Sequence, residues 1–222
     1  FVIKLDGLAG GKGVFVQDDH FKTIEEGISI IEKNLKNTNV LIEEKLVGDE
    51  FSLFTLCDGT TCMHFPPVQD YKRAFENDEG PNTGGMGSIM DDFDFLSKND
   101  ILICEKLNTD VLMKIKEKYD IPYIGVLYGS FMKTYSGELK VIEFNCRFGD
   151  SEVFNILNCI DDLSSIFKNM INNNLKPIKI TPKKSIVKYL VPQGYPTSSE
   201  CKTNNYQKID NVYSSSLDID NK

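Results

Sequence analysis

The 222-residue sequence has no tryptophan and only two histidines, His20 and His64. Its six cysteines are scattered without a C-x-x-C pair, and neither histidine lies at a ligand spacing from a cysteine, which argues against a zinc site. No apolar run approaches the roughly 20 residues of a membrane-spanning helix, so we expect no membrane contact. The net charge of −8 provides no general attraction for nucleic acid.

Two of the cysteines, Cys57 and Cys62, flank the sequence DGTT, which predicts a hairpin turn across which they could face each other. The scattered spacing favours the alternative that all six are free thiols in a reducing compartment, so we expect a cytoplasmic protein. The sequence opens with FVIKLDG, without methionine and already in a predicted strand, so we expect that a preceding part of the parent protein is missing.

Hydrophobic periodicity predicts an α+β arrangement of strands in hairpins and a few helices. Helices are predicted at 23–36, 99–119 and 162–175, and Thr23 and Glu26 have the spacing of a capping box. Strands are predicted at 1–5, 14–17, 39–46, 50–65 (a hairpin), 124–145 (a hairpin) and from 185. Residues 66–88 are predicted to form a long irregular loop, which is uncommon unless functional, and the tail 197–222 shows no periodicity.

The stretch DGLAGGKG, residues 6–13, has four glycines between two predicted strands. Backbone N–H groups of such a turn can hold phosphate, and Lys12 adds a cation, although a plain glycine-rich turn is an equal alternative. It is neither a Walker A loop nor a dinucleotide fingerprint, because the spacing differs and a strand follows. Lys4 lies in an apolar strand, so we expect either an anionic partner or an edge position facing water.

Three further segments carry clustered polar groups. LIEEKLVGDE (41–50) can offer backbone groups to an adenine and a carboxylate to a ribose, although alone it favours a solvated turn. QDYKRAFEND and GPNTGGMG, within 66–88, can wrap a small anion.

The segment EFNCRFGDSE, residues 143–152, follows an alternating strand that places Glu143 and Asn145 on one face. Carboxylate and amide oxygens suit Mg²⁺ carried by a nucleotide, and Arg147 can bind a carboxylate or phosphate bidentately. Asp150 and Glu152 could receive an amine. The alternative is a strand end followed by a solvated turn.

Five segments, in this order and spacing, resemble the ATP-grasp region of the phosphoribosylamine–glycine ligase family. They are VIKLDGLAGGKGV, IEEKLVGDEFSL, QDYKRAFENDEGPNTGGMGS, YIGVLYGSFM and KVIEFNCRFGDSE. The resemblance implies an α+β ATP-grasp fold, in which two α+β subdomains clasp ATP, over residues 1–184. Residues 185–222 would be the truncated start of a small β-rich C-terminal domain.

The resemblance also implies an ADP-forming carbon–nitrogen ligase of de novo purine biosynthesis that uses ATP with Mg²⁺ or Mn²⁺. ATP would phosphorylate glycine, and the amine of 5-phosphoribosylamine would attack the glycyl phosphate to give glycinamide ribonucleotide, ADP and phosphate. Fusion to other purine-synthesis domains is compatible with this role. Two alternatives stay open: a non-catalytic ATP-binding remnant, and another ATP-grasp carboxylate–amine ligase.

The resemblance assigns residues to four roles. ATP would be held by Lys4, Gly10, Gly11, Lys12, Gly13, Glu43, Glu44, Lys45, Leu46 and, at the ribose, Glu50. The metal would be held by Glu143 and Asn145. Glycine and the transferred phosphoryl group would be oriented by Arg147 and Asp150, with Asp70, Lys72 and Arg73 nearby. Phosphoribosylamine would lie beside Asn82, Thr83, Gly84 and Gly85.

The sequence departs from the family pattern at a few positions. The family usually has Ala at Gly10, His at Tyr71, Ala-Gly at Gly129-Ser130, Pro at Ser151, and Glu-Thr-Gln at 152–154, where this chain reads Glu-Val-Phe. None of these changes removes a predicted metal or phosphate ligand, although those at 71 and 151–154 bear on substrate fit.

Overall fold

The structure, a computed structural model, describes residues 1–7, 13–176, 180, 184–191 and 194–197. The helices in this part are α1 (Ile24–Leu35), α2 (Lys98–Tyr119), α3 (Glu152–Leu157) and α4 (Leu163–Ile171). The strands are β1 (Val2–Leu5), β2 (Val14–Val16), β3 (Val40–Glu43), β4 (Gly48–Asp58), β5 (Cys62–His64), β6 (Gln69–Phe75), β7 (Glu79–Met90), β8 (Ile124–Thr134), β9 (Leu139–Asn145) and β10 (Ser185–Lys188). The three predicted helices and the two predicted hairpins are confirmed.

A four-stranded antiparallel sheet in the order β5-β4-β8-β9 forms the centre of the fold. Strand β4 pairs with β8 over its full length, from Gly48 opposite Thr134 to Asp58 opposite Ile124. Alternation along β4 then gives the sheet two covered faces. Phe51 and Leu53 pack with Cys104 of α2, whereas Phe54 packs on the opposite face with residues of β7, α3 and α4.

A second, three-stranded sheet has the order β2-β1-β3 and lies with α1 at the beginning of the chain. Helix α1 starts at the predicted capping box, in which the Thr23 hydroxyl accepts from the Glu26 N–H at 3.2 Å. Gly27 is buried against the Phe1 and Phe21 rings. Much of the apolar stripe that identified the helix is exposed: Ile24, Ile28 and Leu35 all remain accessible.

The prediction of an irregular loop at 66–88 is wrong. Strands β6 and β7 form an antiparallel hairpin, closed by a single 3-10 turn at Glu76–Asp78. The pairing slips twice, between Tyr71 and Arg73 and between Arg73 and Phe75. These irregularities and the glycines of β7 hide the alternation that normally identifies a strand, because glycine contributes no side chain to either face.

The chain divides into two units, Phe1–Tyr189 and Leu190–Lys222, and all the named elements belong to the first. Strand β10 pairs with β7, from Ser185 opposite Met90 to Lys188 opposite Gly87. The domain boundary at residue 184 and the start of a C-terminal domain stay predictions. Among the described residues, no helix is both long and apolar enough to span a bilayer.

We expect Gly87→Ala to lower the free energy of unfolding by about 1–3 kcal/mol, because Gly87 has φ +151° and an added Cβ would lie 2.3 Å from the Val187 carbonyl oxygen. Gly84→Ala is the matched control in the same strand, since a Cβ there meets nothing within 4 Å. Urea unfolding of both variants tests this, and equal losses would contradict the steric argument.

Candidate active site

The end of β9 places two oxygen donors side by side, as strand alternation predicts. The Asn145 amide donates to Glu143 Oε1 at 2.9 Å, so the amide oxygen of Asn145 faces away from that contact. Glu143 lies opposite Ser130 and Asn145 opposite Tyr128 of β8, which puts all four side chains on one face of the central sheet. A bulge at Ile142 interrupts the pairing just before this pair.

Lys4, in the β2-β1-β3 sheet, contacts strand β9. Its ammonium lies 2.8 Å from Glu43 Oε2 and donates to the Ile142 carbonyl oxygen at 3.2 Å, the residue of the bulge. The side chain is only 15% exposed and β1 is the central strand of its sheet, so the alternative of an edge position facing water is wrong, and Glu43 is the anionic group that Lys4 contacts in the structure. Its role in holding ATP stays a prediction.

The segment predicted to contact adenine runs from Glu43, at the end of β3, through Glu44, Lys45 and Leu46 to the start of β4. Two charged side chains of this segment, Glu44 and Lys45, pair with residues outside it. Glu44 lies 3.0 Å from Lys140, and Lys45 donates to the Gln17 carbonyl and to Asp18. These contacts hold the segment between the β2-β1-β3 sheet and β9. The backbone groups of the segment are then the part that an adenine could contact.

Glu50, predicted to contact the ribose, points instead toward the residues predicted to act on the phosphoryl group. Its Oε1 lies 2.5 Å from the Lys72 ammonium and accepts from the Ser130 hydroxyl at 3.2 Å. Lys72 also lies 3.4 Å from Asp70, whose side chain is only 6% exposed. Burial opposes the charge on Lys72, but Asp70 and Glu50 outweigh it and raise the pKa of the lysine.

Arg73 is not part of this cluster, because it follows Lys72 in the strand and points the other way. Its guanidinium donates to Asp19 at 2.9 Å and to the Gly80 carbonyl at 3.0 Å. Thr83 holds the neighbouring strand by donating to the Lys72 carbonyl at 2.9 Å. The sequence therefore grouped Arg73 with Asp70 and Lys72, but the structure separates them.

The four residues predicted to lie beside phosphoribosylamine are all in β7. Asn82 and Gly84 are exposed, and the Thr83 hydroxyl accepts from the Gly85 N–H at 3.0 Å. Gly85 has φ +140°, and an added Cβ would lie 2.7 Å from the Asp150 carbonyl oxygen. This close approach brings β7 against the segment that follows β9.

That segment carries Arg147, Asp150 and Glu152. The Arg147 guanidinium is exposed and donates to the Phe148 carbonyl at 2.9 Å, so it is free to turn toward an anion. Asp150 is also exposed and accepts a short hydrogen bond from the Tyr189 hydroxyl. Sequence reasoning could not identify Tyr189, because it is distant in the chain and belongs to no motif.

Glu152, by contrast, is 2% exposed and begins α3. Among the described residues its Oε2 is buried without a hydrogen-bond partner, and its carboxylate packs on Gly149, where a Cβ would lie 2.5 Å from Oε1. Burial raises the pKa of Glu152, and the nearby Asp70 carboxylate raises it further. Burial likewise raises the pKa of Asp70, although Lys72 opposes that shift.

The turn predicted to hold phosphate is described only at its edges. Gly10, Gly11 and Lys12 lie outside the described residues. Gly13 is buried, and its carbonyl accepts from the Leu5 N–H at 2.9 Å, which closes the turn between β1 and β2.

The donor chemistry fits a metal that arrives with a nucleotide. Glu143 and Asn145 supply hard oxygen atoms, and Mg²⁺ usually binds one or two protein carboxylates and takes its other ligands from phosphate and water. Among the described residues no group of three or more His, Cys, Asp or Glu could hold a metal ion. The site therefore suits a shared ion better than a cage built from the protein alone.

The departures from the family pattern have defined environments. The Tyr71 side chain is exposed and its hydroxyl donates to Gln69 at 3.2 Å, away from the charged cluster. Ser151 is fully buried and donates to the Ser88 hydroxyl at 2.9 Å. Phe154 is exposed on α3.

Comparison with known families matches residues 1–153 to the ATP-grasp (A) domain of phosphoribosylglycinamide synthetase. The chain is 41% identical over 201 residues to a phosphoribosylamine–glycine ligase of Methanocella arvoryzae, covering 88% of this chain and 46% of that protein. It is 39% identical over 206 residues to that of Methanosarcina barkeri, covering 89% and 47%. The chain thus spans about half the length of the curated relatives it matches.

Solved structures agree. A phosphoribosylamine–glycine ligase of Thermotoga maritima superposes with a TM-score of 0.76 at 34% identity, over 90% of this chain and 51% of that one. An N5-carboxyaminoimidazole ribonucleotide synthetase of Thermus thermophilus, at 17% identity and a TM-score of 0.58 over 86% and 46%, shares the fold alone. The fold is therefore the expected ATP-grasp fold, and the family expected from the sequence is confirmed. The chain belongs to the phosphoribosylglycinamide synthetase ATP-grasp domain family, and this membership implies that it uses ATP.

Proposed function

We propose that the complete gene product joins glycine to 5-phosphoribosylamine at the expense of ATP, giving glycinamide ribonucleotide, ADP and phosphate in the cytoplasm. The observation that carries this proposal is the Glu143–Asn145 donor pair at the end of β9, in a chain of this family. The named relatives support the choice of substrates, since they are phosphoribosylamine–glycine ligases.

Glu143 and Asn145 would hold Mg²⁺ or Mn²⁺ through one carboxylate and one amide oxygen. Bound there with the nucleotide, the ion would neutralise charge that develops on the transferred phosphoryl group. Binding requires the Asn145 amide to present its oxygen, and Glu143 must exchange its present contact for the ion.

The phosphates would be held between the β2-β1-β3 sheet and the central β5-β4-β8-β9 sheet. Lys4 bridges β1 and β9 within reach of the metal pair, and the turn containing Gly10, Gly11, Lys12 and Gly13 would cover the phosphates from the other side. The segment from Glu43 to Leu46 would offer backbone groups to the adenine. Glu50 could reach the ribose only by releasing Lys72, so we assign it first to positioning that lysine.

In the first step a glycine carboxylate oxygen attacks the γ-phosphorus and ADP leaves. Arg147 would hold the glycine carboxylate, since an exposed guanidinium at this place can form a bidentate pair. Lys72, paired with both Asp70 and Glu50, would provide a fixed positive charge near the phosphoryl group. Arg73 would act indirectly, by fixing β6 through Asp19.

In the second step the amine attacks the acyl carbon, phosphate leaves, and the amine nitrogen loses a proton. Asp70 and Glu50 both contact Lys72, and the Asp70 carboxylate also raises the pKa of Glu152, so the cluster favours an added ammonium group. Glu152, with its partnerless oxygen and raised pKa, is suited to take that proton. Asp150 and residues 82–85 would hold the rest of phosphoribosylamine.

This reaction needs no nucleophilic side chain, because the attacking groups belong to the substrates. Catalysis then depends on positioning and on neutralising charge, which the lysine, arginine and metal donors provide. The departures from the family pattern leave every one of these groups in place. They therefore give no reason to favour a remnant that binds ATP without turnover.

Phosphate release tests the reaction: the complete gene product should release phosphate from ATP only when both glycine and phosphoribosylamine are present. ATP binding without glycine-dependent turnover would support the non-catalytic alternative. Turnover with a different carboxylate or amine would support another ligase of the same fold.

We expect Glu143→Gln to lower kcat/KM by roughly 100-fold or more and to raise the Mg²⁺ concentration needed for half-maximal rate, because an amide cannot supply the anionic ligand. Glu138→Gln, at the exposed β8–β9 turn, is the matched control and should leave both values unchanged. Full activity of Glu143→Gln at saturating Mg²⁺ would refute the metal role while leaving the reaction itself standing.

Glu152→Gln should stabilise the fold in a pH-dependent way. Because folding raises the pKa of Glu152, its contribution is fully present below the unfolded value of about 4.5 and is lost as the pH rises through the folded value. The variant should therefore match the parent in urea unfolding at low pH and exceed it at pH above the folded pKa, while losing turnover.

Asp162→Asn provides a control of opposite sign. The Ser165 hydroxyl and N–H lower the pKa of Asp162 at the start of α4, so this variant should lose stability at neutral pH and match the parent in acid. A pH-independent effect of Glu152→Gln would show that folding does not raise the pKa of Glu152.

A further inference from the structure

The β4–β5 hairpin brings Cys57 and Cys62 directly opposite each other, far along β4 from Glu50. The turn closes with a hydrogen bond from the Asp58 N–H to the Thr61 carbonyl at 3.2 Å. Hydrogen-bonded and non-hydrogen-bonded pairs alternate in an antiparallel ladder, so the pair of cysteines is of the non-hydrogen-bonded kind. Such pairs have Cα atoms about 4.5 Å apart, at the short end of the range that a disulfide spans.

We propose that Cys57 and Cys62 form a dithiol site that a low-molecular-weight disulfide converts into an internal cross-strand disulfide. The inference is independent of the ligase reaction, since the two cysteines lie at the β4–β5 turn, at the opposite end of β4 from Glu50.

The two thiols differ in a way that orders the reaction. Cys62 is partly exposed, whereas Cys57 is fully buried and its sulfur accepts the Gly59 N–H at 3.3 Å. The pKa of Cys57 is lowered to about 7, mainly by a hydrogen bond from the Cys62 thiol, with burial opposing and Gly59 supporting the shift. The same hydrogen bond to Cys57, together with burial, raises the pKa of Cys62, so exposure and not acidity makes Cys62 the sulfur that meets a reagent. Cys57, buried beside it, is then placed to resolve the adduct.

The chemistry balances without another reactant. The Cys62 thiol passes its proton to the Cys57 thiolate and attacks one sulfur of the reagent disulfide, and one reagent thiol leaves with that proton. Cys57, as the thiolate, then attacks the Cys62 sulfur and the second reagent thiol leaves. The two protein thiols are oxidised, the reagent disulfide is reduced to two thiols, and their protons pass to those thiols.

The other described cysteines lack this arrangement. Burial raises the pKa of Cys104 to about 12, and Cys159 is buried with its thiol directed at Met90. Cys146 is exposed and can take a mixed disulfide, which adds the reagent's mass and does not remove hydrogen. The two outcomes are therefore distinguishable by mass.

The site also has a structural consequence. Asp58 accepts from the Leu175 N–H at 2.8 Å, and the Gly59 carbonyl accepts from Lys116 at 3.1 Å. The turn thereby anchors the segment after α4 and the end of α2. A disulfide beside it would hold this anchor against local opening.

Treatment with oxidised glutathione followed by peptide mapping tests the proposal. The stretch between Lys45 and Lys72 contains Cys57 and Cys62 and no other cysteine. We expect this peptide to lose the mass of two hydrogen atoms and to regain it with a reductant. A stable glutathione adduct on the wild-type peptide, or no change while Cys146 reacts fully, would overturn the proposal.

Variants separate the two roles. Cys57→Ser should leave a glutathione adduct on Cys62 that never resolves, whereas Cys62→Ser should leave the buried Cys57 unmodified. Cys146→Ser is the matched control and should form the internal disulfide as the parent does. Circular dichroism checks that each variant is folded, and the wild-type peptide decides the matter even if a variant is not. Equal adduct formation at Cys57 in Cys62→Ser would contradict the assigned order.

Discussion

The pairing of β4 with β8 is the constraint on which the rest of the structure depends. Eleven residues, Gly48–Asp58, are matched one for one, and nine positions from Phe51 to Gly59 are buried. A slip of one residue would exchange the two faces and place Phe51 and Leu53 where Phe54 now packs, so both covered faces fix the register. Through β8 the same register reaches β9, and this brings Glu50, Ser130 and Glu143 onto one face.

That face collects more negative charge than its own residues neutralise. Lys72 forms ion pairs with two carboxylates, Glu50 and Asp70. In the described part of the chain, one oxygen of the buried Glu152 has no hydrogen-bond partner. Burying an unpaired carboxylate is costly, and the protein meets this cost by raising the pKa of Glu152 and of Asp70. A site of this kind can accept an ammonium group or a proton. The proposed reaction would require both, because it binds an amine and removes a proton from it.

Local rules predicted most of the elements, and long-range contacts account for what they missed. The capping box at Thr23 and the turn at Asp58 are written within a few residues, so sequence alone located them. Sequence patterns predict a loop in place of β7, because the glycines of this strand are required only by close neighbours, such as Val187 against Gly87. Within the site, alternation paired Glu143 with Asn145, but only tertiary contacts turn Glu50 toward Lys72 and Arg73 toward Asp19.

The departures from the family pattern are matched to one another inside this chain. The family usually has alanine at position 129, and an alanine Cβ there would lie 2.4 Å from Asn108 Oδ1. This oxygen is buried and has no hydrogen-bond partner among the residues that the structure describes. Asn108 in turn donates to the Leu53 carbonyl at 3.0 Å and so helps to hold β4 from the α2 side. The adjacent Ser130, where the family has glycine, donates a hydrogen bond from its hydroxyl to Glu50. Because glycine at 129 makes room for Asn108 and serine at 130 adds a donor to Glu50, the two changes support the strand pairing and the charged cluster together. The departures at 129 and 130 therefore leave the Glu50–Lys72 pair and the β4–β8 pairing intact.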